Sequence, residues 1–170
     1  MTKTVKRPSV SLSPGRGLLR NDHFQIAYAT NDLERARNVF ADRYGIGKYQ
    51  TIEGTLNEGG YIRAELAWVG GMMYELLQAH GPGSEFINRI LDPREFAIRH
   101  HHMGFFVYEE STWQTLEQEV ERGGWSVLQR RTIDGFLRVF YVEVAECGHY
   151  LEYIFPTPEG ISFFENVPRS

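Results

Sequence analysis

The chain has little cysteine and no long hydrophobic run, and each lack excludes a class of protein. Cys147 is the single cysteine, so disulfide frameworks and cysteine zinc sites are excluded. No apolar run reaches the roughly 18 residues that a membrane span needs, and the start of the chain is too polar for a secretory leader. The net charge of −4 comes without a basic stripe. We therefore expect a cytoplasmic protein that binds neither nucleic acid nor membrane.

The domain organisation follows from a change in composition near residue 21. Residues 1–20 combine basic residues with prolines and glycines, which predicts a flexible N-terminal arm. The arm is alternatively a segment that packs along its own or a partner subunit. We expect residues 21–170 to form a single domain, because an internal repeat makes each half too small to bury its apolar face alone.

A β-α-β-β-β pattern occurs twice. Alternation predicts a first strand over 23–30 with Phe24, Ile26 and Tyr28 on its apolar face. Asn31 and Glu34 resemble a capping box at the start of a helix that ends before Gly45. Glycine-rich turns separate the other predicted strands of the first copy, 48–53, 61–69 and 72–78. The second copy is predicted to comprise a strand over 100–107, a helix over 111–120 and strands over 125–130, 136–144 and 149–155.

These patterns predict an α+β fold of two tandem βαβββ modules in one domain. The modules are residues 22–79 and 100–156, followed by a C-terminal tail. A linker over 81–99 contains a predicted short helix, residues 85–91. That helix is either a simple connection or a lid over a pocket.

Four candidate metal ligands recur at equivalent positions of the two copies. Subtracting 25 from 102, or 75 from 152, gives the same offset of 77, which aligns Gln25 with His102 and Glu75 with Glu152. Each residue alone is explained as well by an ion pair or a solvated strand position. As a set, they form an oxygen and nitrogen site without sulfur, which suits one divalent Zn, Ni, Co, Mn or Fe ion with open positions.

Several motifs resemble the vicinal oxygen chelate superfamily, which includes glyoxalase I, methylmalonyl-CoA epimerase and extradiol dioxygenases. They are the first strand from Gln25 to Leu33, the His101-His102-Met-Gly-Phe105 segment, and Gly148-His-Tyr-Leu-Glu152. The resemblance implies a curved, cup-like mixed sheet and a homodimer. Gln-Glu-His-Glu resembles the glyoxalase I ligand set, whereas the epimerase set is closer to His-Gln-His-Glu.

The resemblance implies a metal-dependent lyase or isomerase that moves a proton alpha to a carbonyl. Glu152 is the expected base, and Glu75 shares that role. The expected substrate is a small molecule with adjacent oxygen functions and an apolar or aromatic body. Two alternatives are a non-haem Fe(II) extradiol-type dioxygenase and a metal-free drug-binding protein of the same fold.

The sequence leaves alternative roles for several other polar residues. His100 is expected on the strand face of His102, as an extra ligand or a solvated residue, and His101 on the opposite face. Four strand arginines either hold an anionic group or are solvated: Arg63, Arg130, Arg131 and Arg138.

Overall fold

The elements follow the predicted order in the computed structural model, which describes residues 17–170. The arm predicted for residues 1–20 therefore lies mostly outside the described residues. The strands are β1 (Asp22–Thr30), β2 (Gln50–Thr55), β3 (Tyr61–Val69), β4 (Met72–His80), β5 (Ile98–Phe106), β6 (Val127–Ile133), β7 (Leu137–Val144) and β8 (His149–Pro156). The helices are α1 (Leu33–Tyr44), α2 (Glu85–Asn88), α3 (Glu110–Gly123) and α4 (Pro158–Glu165).

All eight strands belong to one mixed sheet in the order β2-β3-β4-β1-β5-β8-β7-β6. β1 is parallel to β4, and β5 is parallel to β8. The two halves join where β1 and β5 pair antiparallel at the centre. The predicted α+β fold with a curved mixed sheet of two βαβββ repeats is confirmed.

The two longer helices cover the outer face of the sheet. Leu33, Ala36 and Phe40 of α1 are buried against β3 and β4. Trp113, Leu116 and Val120 of α3 pack in the same way on the second half. Burial of these apolar stripes holds each helix against its own repeat.

The capping residue of α1 differs from the prediction. Asp32, not Asn31, is the N-cap, and its side chain accepts a hydrogen bond of 3.0 Å from the Arg35 amide. The Asn31 side chain instead contacts the linker, donating to the carbonyls of Asp92 and Glu95. Its capping-type side chain therefore ties the linker to the start of α1.

Two irregularities interrupt the pairing of β1 with β5. His23 pairs with Phe105 and Gln25 pairs with Gly104, the residue before Phe105. Phe24 therefore has no partner in β5 and forms a bulge. The predicted face of Phe24 is wrong for this reason. It packs with Leu66 and Phe164 on the inner side of the sheet, whereas Tyr28 packs on α1.

The chain after β8 forms a helix that the sequence analysis treated only as a tail. Thr157 caps α4 by accepting from the Gly160 amide, and Pro158 occupies the first turn. Phe164 packs beneath the sheet, and its carbonyl accepts a 2.9 Å hydrogen bond from the Trp68 indole. Among the helices of residues 17–170, none has both the length and the apolarity to cross a membrane.

Replacing Trp113 with alanine should lower the free energy of unfolding by about 3–5 kcal/mol, the usual cost of truncating a buried aromatic residue. Trp113 is 3% exposed and packs edge-on against Phe140, whereas Trp125 is 39% exposed. The matched change Trp125→Ala should cost roughly 1 kcal/mol or less. Urea denaturation measures both values, and equal losses would contradict the assigned core.

Candidate functional site

The four predicted ligand residues converge at the centre of the sheet. The Gln25 amide Nε2 donates to Glu75 Oε2 at 3.0 Å. His102 Nε2 lies 3.1 Å from Glu75 Oε2 and 3.2 Å from Glu152 Oε2. The cluster therefore contains both residues of each repeat, and no Lys or Arg among residues 17–170 forms an ion pair with it.

The sheet pairing explains how side chains from four strands meet. In the parallel pairs, Glu75 lies opposite Ala27 and Glu152 lies opposite Gly104, so the two repeats use the same register. In the central pair, Gln25 lies opposite Gly104 and Ala27 opposite His102. Each central ligand thus faces a small residue of the other strand, which leaves space over the sheet.

Gly104 is required for the position of the Gln25 amide. A Cβ atom at Gly104 would lie 2.4 Å from Gln25 Oε1 and 2.8 Å from Gln25 Cβ. Both distances are well below van der Waals contact, so a side chain at this position would displace Gln25. The His102-Met103-Gly104 segment therefore supplies a ligand and the space for its neighbour.

Unpaired polar atoms mark this cluster as a binding site. Four buried side-chain polar atoms of the described residues lack a hydrogen-bond partner, and three belong to the cluster: Gln25 Oε1, His102 Nε2 and Glu152 Oε2. Buried polar atoms are nearly always paired, so three orphans in one place need a missing partner. His102 Nε2 contacts both carboxylates without the geometry of a hydrogen bond to either.

The donor set fits a divalent cation. Among residues 17–170, no group of three or more His, Cys, Asp or Glu side chains is arranged to hold a metal ion; the carboxylates and the imidazole of the cluster contact one another instead. Two ligands at right angles with bonds of about 2.1 Å lie about 3.0 Å apart. The Glu75–His102 and His102–Glu152 contacts have nearly this length, and the three orphaned atoms are of the types that ligate cations.

His101 supports His102, and its predicted orientation is wrong. Pairing passes from Ala27 opposite His102 to Tyr28 opposite His100, so His101 is an extra residue of β5. The bulge brings the His101 side chain to the inner side, where its Nδ1 lies 2.8 Å from His102 Nδ1. A residue that alternation places on the outer face therefore contacts the cluster.

The contacts of His101 fix the tautomer of His102. His101 Nε2 lies 3.3 Å from the Phe86 carbonyl, which can only accept, so this nitrogen carries a proton. Burial, and then the neighbouring His102, hold the pKa of His101 well below its usual value, so its Nδ1 is an acceptor. His102 consequently donates from Nδ1, which orients Nε2 towards the carboxylates as a metal-ligating histidine requires.

The same bulge removes His100 from the site. The His100 ring contacts Tyr28, which packs on α1, and lies 5.1 Å from the His149 ring. The expectation that His100 shares a face with His102 is therefore wrong, and His100 is not positioned as an extra ligand.

Tyr141 is a site residue that the sequence analysis did not identify. It lies opposite Glu152 in the pairing of β7 with β8, and its hydroxyl donates to Glu152 Oε1. Burial, followed by the charges of Glu152 and Glu75, raises the pKa of Tyr141 well above its usual value, so the hydroxyl stays protonated. The only sequence signal was its inward register on β7, which many core aromatics share.

An apolar cavity of about 180 Å³ opens above the cluster. Leu66, Leu77 and Val139 are among its walls, and the polar cluster forms one end. Phe86 and Ile87 of α2 also line it, so the short linker helix covers part of the cavity. Since an apolar cavity of about 150 Å³ accommodates benzene, the volume suits a ring-sized compound.

Comparison with known proteins identifies the fold. No protein-family model matches the sequence, and no curated protein matches it either. Methylmalonyl-CoA epimerase of Mycobacterium tuberculosis is 17% identical with a TM-score of 0.56, over 83% of this chain and 91% of that chain. A Streptomyces coelicolor methylmalonyl-CoA epimerase variant in complex with 2-nitronate-propionyl-CoA is 15% identical, with a TM-score of 0.55 over 81% and 96%.

A hypothetical protein of Bacillus halodurans matches similarly, with 16% identity and a TM-score of 0.55 over 81% of this chain and 95% of that chain. Identities this low establish the fold alone. The chain has the fold of the vicinal oxygen chelate superfamily, as the resemblance in its sequence predicted.

His102 should carry a proton at neutral pH in chelator-treated protein. Burial lowers the pKa of His102, but the carboxylates of Glu152 and Glu75 outweigh this effect and raise the pKa to about 10. Because the folded-state pKa exceeds the ordinary value of about 6.5, the stabilisation is complete below about pH 6.5 and is lost as the pH rises towards 10. Ring ¹⁵N chemical shifts measure the titration, and the signal that disappears in the His102→Gln variant is assigned to His102. A midpoint near 6.5 would contradict this electrostatic analysis.

Proposed function

We propose that this protein is a metal-dependent lyase or isomerase that transfers a proton alpha to a carbonyl, with a glyoxalase I-like ligand set. The observation that carries the proposal is the group of three orphaned ligand atoms in a cluster of four predicted ligands. Core packing or a surface ion pair would not leave these atoms buried without partners.

The residues that would hold the cation are Gln25, Glu75, His102 and Glu152. The Gln25 amide nitrogen is bound to Glu75, which leaves its oxygen Oε1 available as a ligand. A bound divalent cation would hold adjacent substrate oxygens and stabilise the negative charge that develops as the alpha proton leaves. The absence of sulfur from the set suits Zn, Ni, Co, Mn or Fe.

Glu152 is the better placed base. Tyr141 donates to its Oε1 and fixes the carboxylate, whereas Oε2 has no hydrogen-bond partner within the described chain. Oε2 is therefore the Glu152 oxygen that would ligate a cation, and it would accept the substrate proton after loosening from that cation. Glu75 Oε2 already accepts a hydrogen bond from Gln25, so this oxygen is less free to approach a substrate proton.

The fold neighbours support this class of chemistry. A methylmalonyl-CoA epimerase has been solved with methylmalonyl-CoA, an acyl thioester. The ligand set of this chain departs from the epimerase-like pattern at Gln25 and Glu75, so the proposal does not extend to that substrate. The apolar walls support a substrate with an apolar or aromatic body. The homodimer stays a prediction from the family resemblance.

One divalent cation per chain should bind to protein purified without chelator. His102→Ala removes a ligand and should lower bound metal to a small fraction of one equivalent, as measured by elemental analysis. His101→Phe removes the acceptor of the His102 Nδ1 hydrogen bond and should weaken affinity by about 10–100-fold, the usual effect of losing an outer partner.

His80→Ala is the matched control for metal content, because His80 is exposed at the end of β4 and should retain full occupancy. Equal metal content in His102→Ala and His80→Ala would contradict the assignment of His102 as a metal ligand. No metal in the wild-type protein would favour a metal-free binding protein of this fold.

Glu152→Gln should retain most of the metal while proton transfer falls by about 10² or more, since the variant keeps a ligating oxygen and loses the base. Solvent deuterium exchange into 2-oxo, alpha-hydroxycarbonyl and acyl-thioester compounds is the measurement. Glu75→Gln is the matched change and should lower the rate of proton transfer less than Glu152→Gln does. Undiminished exchange in Glu152→Gln would reject the assigned base.

A further inference from the structure

The two repeats share their ligands but not their cavity walls. Strand pairing aligns the cavity walls of the two repeats. Leu66 lies opposite Glu75 as Tyr141 lies opposite Glu152, and Ala64 lies opposite Leu77 as Val139 lies opposite Ile154. Arg131, which lies opposite Val139, takes the position of Ile52, which lies opposite Ala64. At these positions the first repeat is apolar, whereas the second adds a phenol and a guanidinium to the cavity wall.

Arg131 is the arginine that lines the cavity, and it has no ion-pair partner among residues 17–170. Arg63 pairs with Glu65 and Arg138 pairs with Glu110. Arg130 precedes Arg131 in β6 and lies on the opposite face of the sheet, where it pairs with Glu117 of α3. Arg131 is half-buried and lines the cavity together with Tyr141. Within the described residues this half-buried guanidinium forms no ion pair with the carboxylates of the cluster, so it can bind an anion that enters the cavity.

The position of Arg131 separates it from the cluster. Glu152 pairs with Tyr141, Tyr141 pairs with Gln129, and Arg131 lies two residues further along β6. Since neighbouring strands are about 4.8 Å apart, Arg131 originates two strands away from Glu152. Its positive charge still acts on the Tyr141 hydroxyl, so the guanidinium and the cluster belong to one cavity.

We propose that the substrate is a small organic acid, whose carboxylate binds Arg131 while its apolar body contacts the wall of the first repeat. This inference rests on the proposed function, and it names the substrate class of that site. An anion cannot approach the metal-free cluster easily, because Glu75 and Glu152 repel it. The net charge of −4 also disfavours anions in general, so any preference for an anionic ligand requires a local cation.

The experiment compares benzoate with benzamide, two ring-sized compounds that differ in charge, in NMR titrations of chelator-treated protein. Benzoate should bind wild-type protein on the order of tenfold more tightly, because it forms a charge-assisted contact with the guanidinium. Arg131→Gln should reduce benzoate binding to the level of benzamide. Arg131→Lys keeps the charge and should retain part of the preference.

Arg130→Gln is the matched control, since Arg130 carries the same charge on the opposite face of the strand and should leave the preference unchanged. Equal binding of the two compounds to wild-type protein, including no binding by either, would overturn the proposal. A preference that persists in Arg131→Gln would overturn it as well. Because these titrations need neither metal nor turnover, their failure is distinguishable from failure of the proton-transfer proposal.

Discussion

The antiparallel pairing of β1 with β5 is the constraint on which the site depends. It joins the two repeats into one sheet, and it places Gln25 opposite Gly104 and His102 opposite Ala27. Side chains alternate along a strand, so a shift of one residue in this register would turn a ligand to the outer face. The two bulges lie in this same pair of strands, and the one at His101 brings two adjacent histidines to the inner side. Register and bulge together therefore determine which residues reach the cavity.

Burial of two carboxylates beside one histidine is electrostatically costly. Burial raises the pKa of Glu75, and the charge of Glu152 adds to this effect while His102 opposes it. With a protonated His102 the three groups still carry a net charge of −1, whereas a divalent cation beside a neutral His102 makes the sum zero. The arrangement is thus better neutralised by a divalent cation than by a proton, which is the physical argument for the proposed ligand set.

Much of the fold and the convergence of the four candidate ligands could be predicted, because both rest on regular periodicity. Alternation located β1 and β4, and the offset of 77 found the same strands again in the second repeat. The errors occur where periodicity is interrupted. A bulge leaves no sequence signal among three consecutive histidines, so the orientations of His100 and His101 were both mispredicted. Tyr141 was missed because its role comes from a cross-strand neighbour. The N-cap Asp32 was missed because the adjacent Asn31 is also a capping residue type.

The duplication supplies equivalent carboxylates, and their surroundings make them different. Tyr141 lies opposite Glu152 and donates to it, while the residue opposite Glu75 is Leu66, whose side chain has no donor. Glu75 is instead held by Gln25, whose counterpart in the second repeat is His102. Carboxylates in unlike environments take unlike roles in catalysis. A cluster with equivalent carboxylates from both repeats can hold a cation. Proton abstraction from one side of a substrate also needs one carboxylate fixed as the base and a cavity that differs between its two sides. Tyr141 and Arg131 of the second repeat, at positions that are apolar in the first, provide that asymmetry.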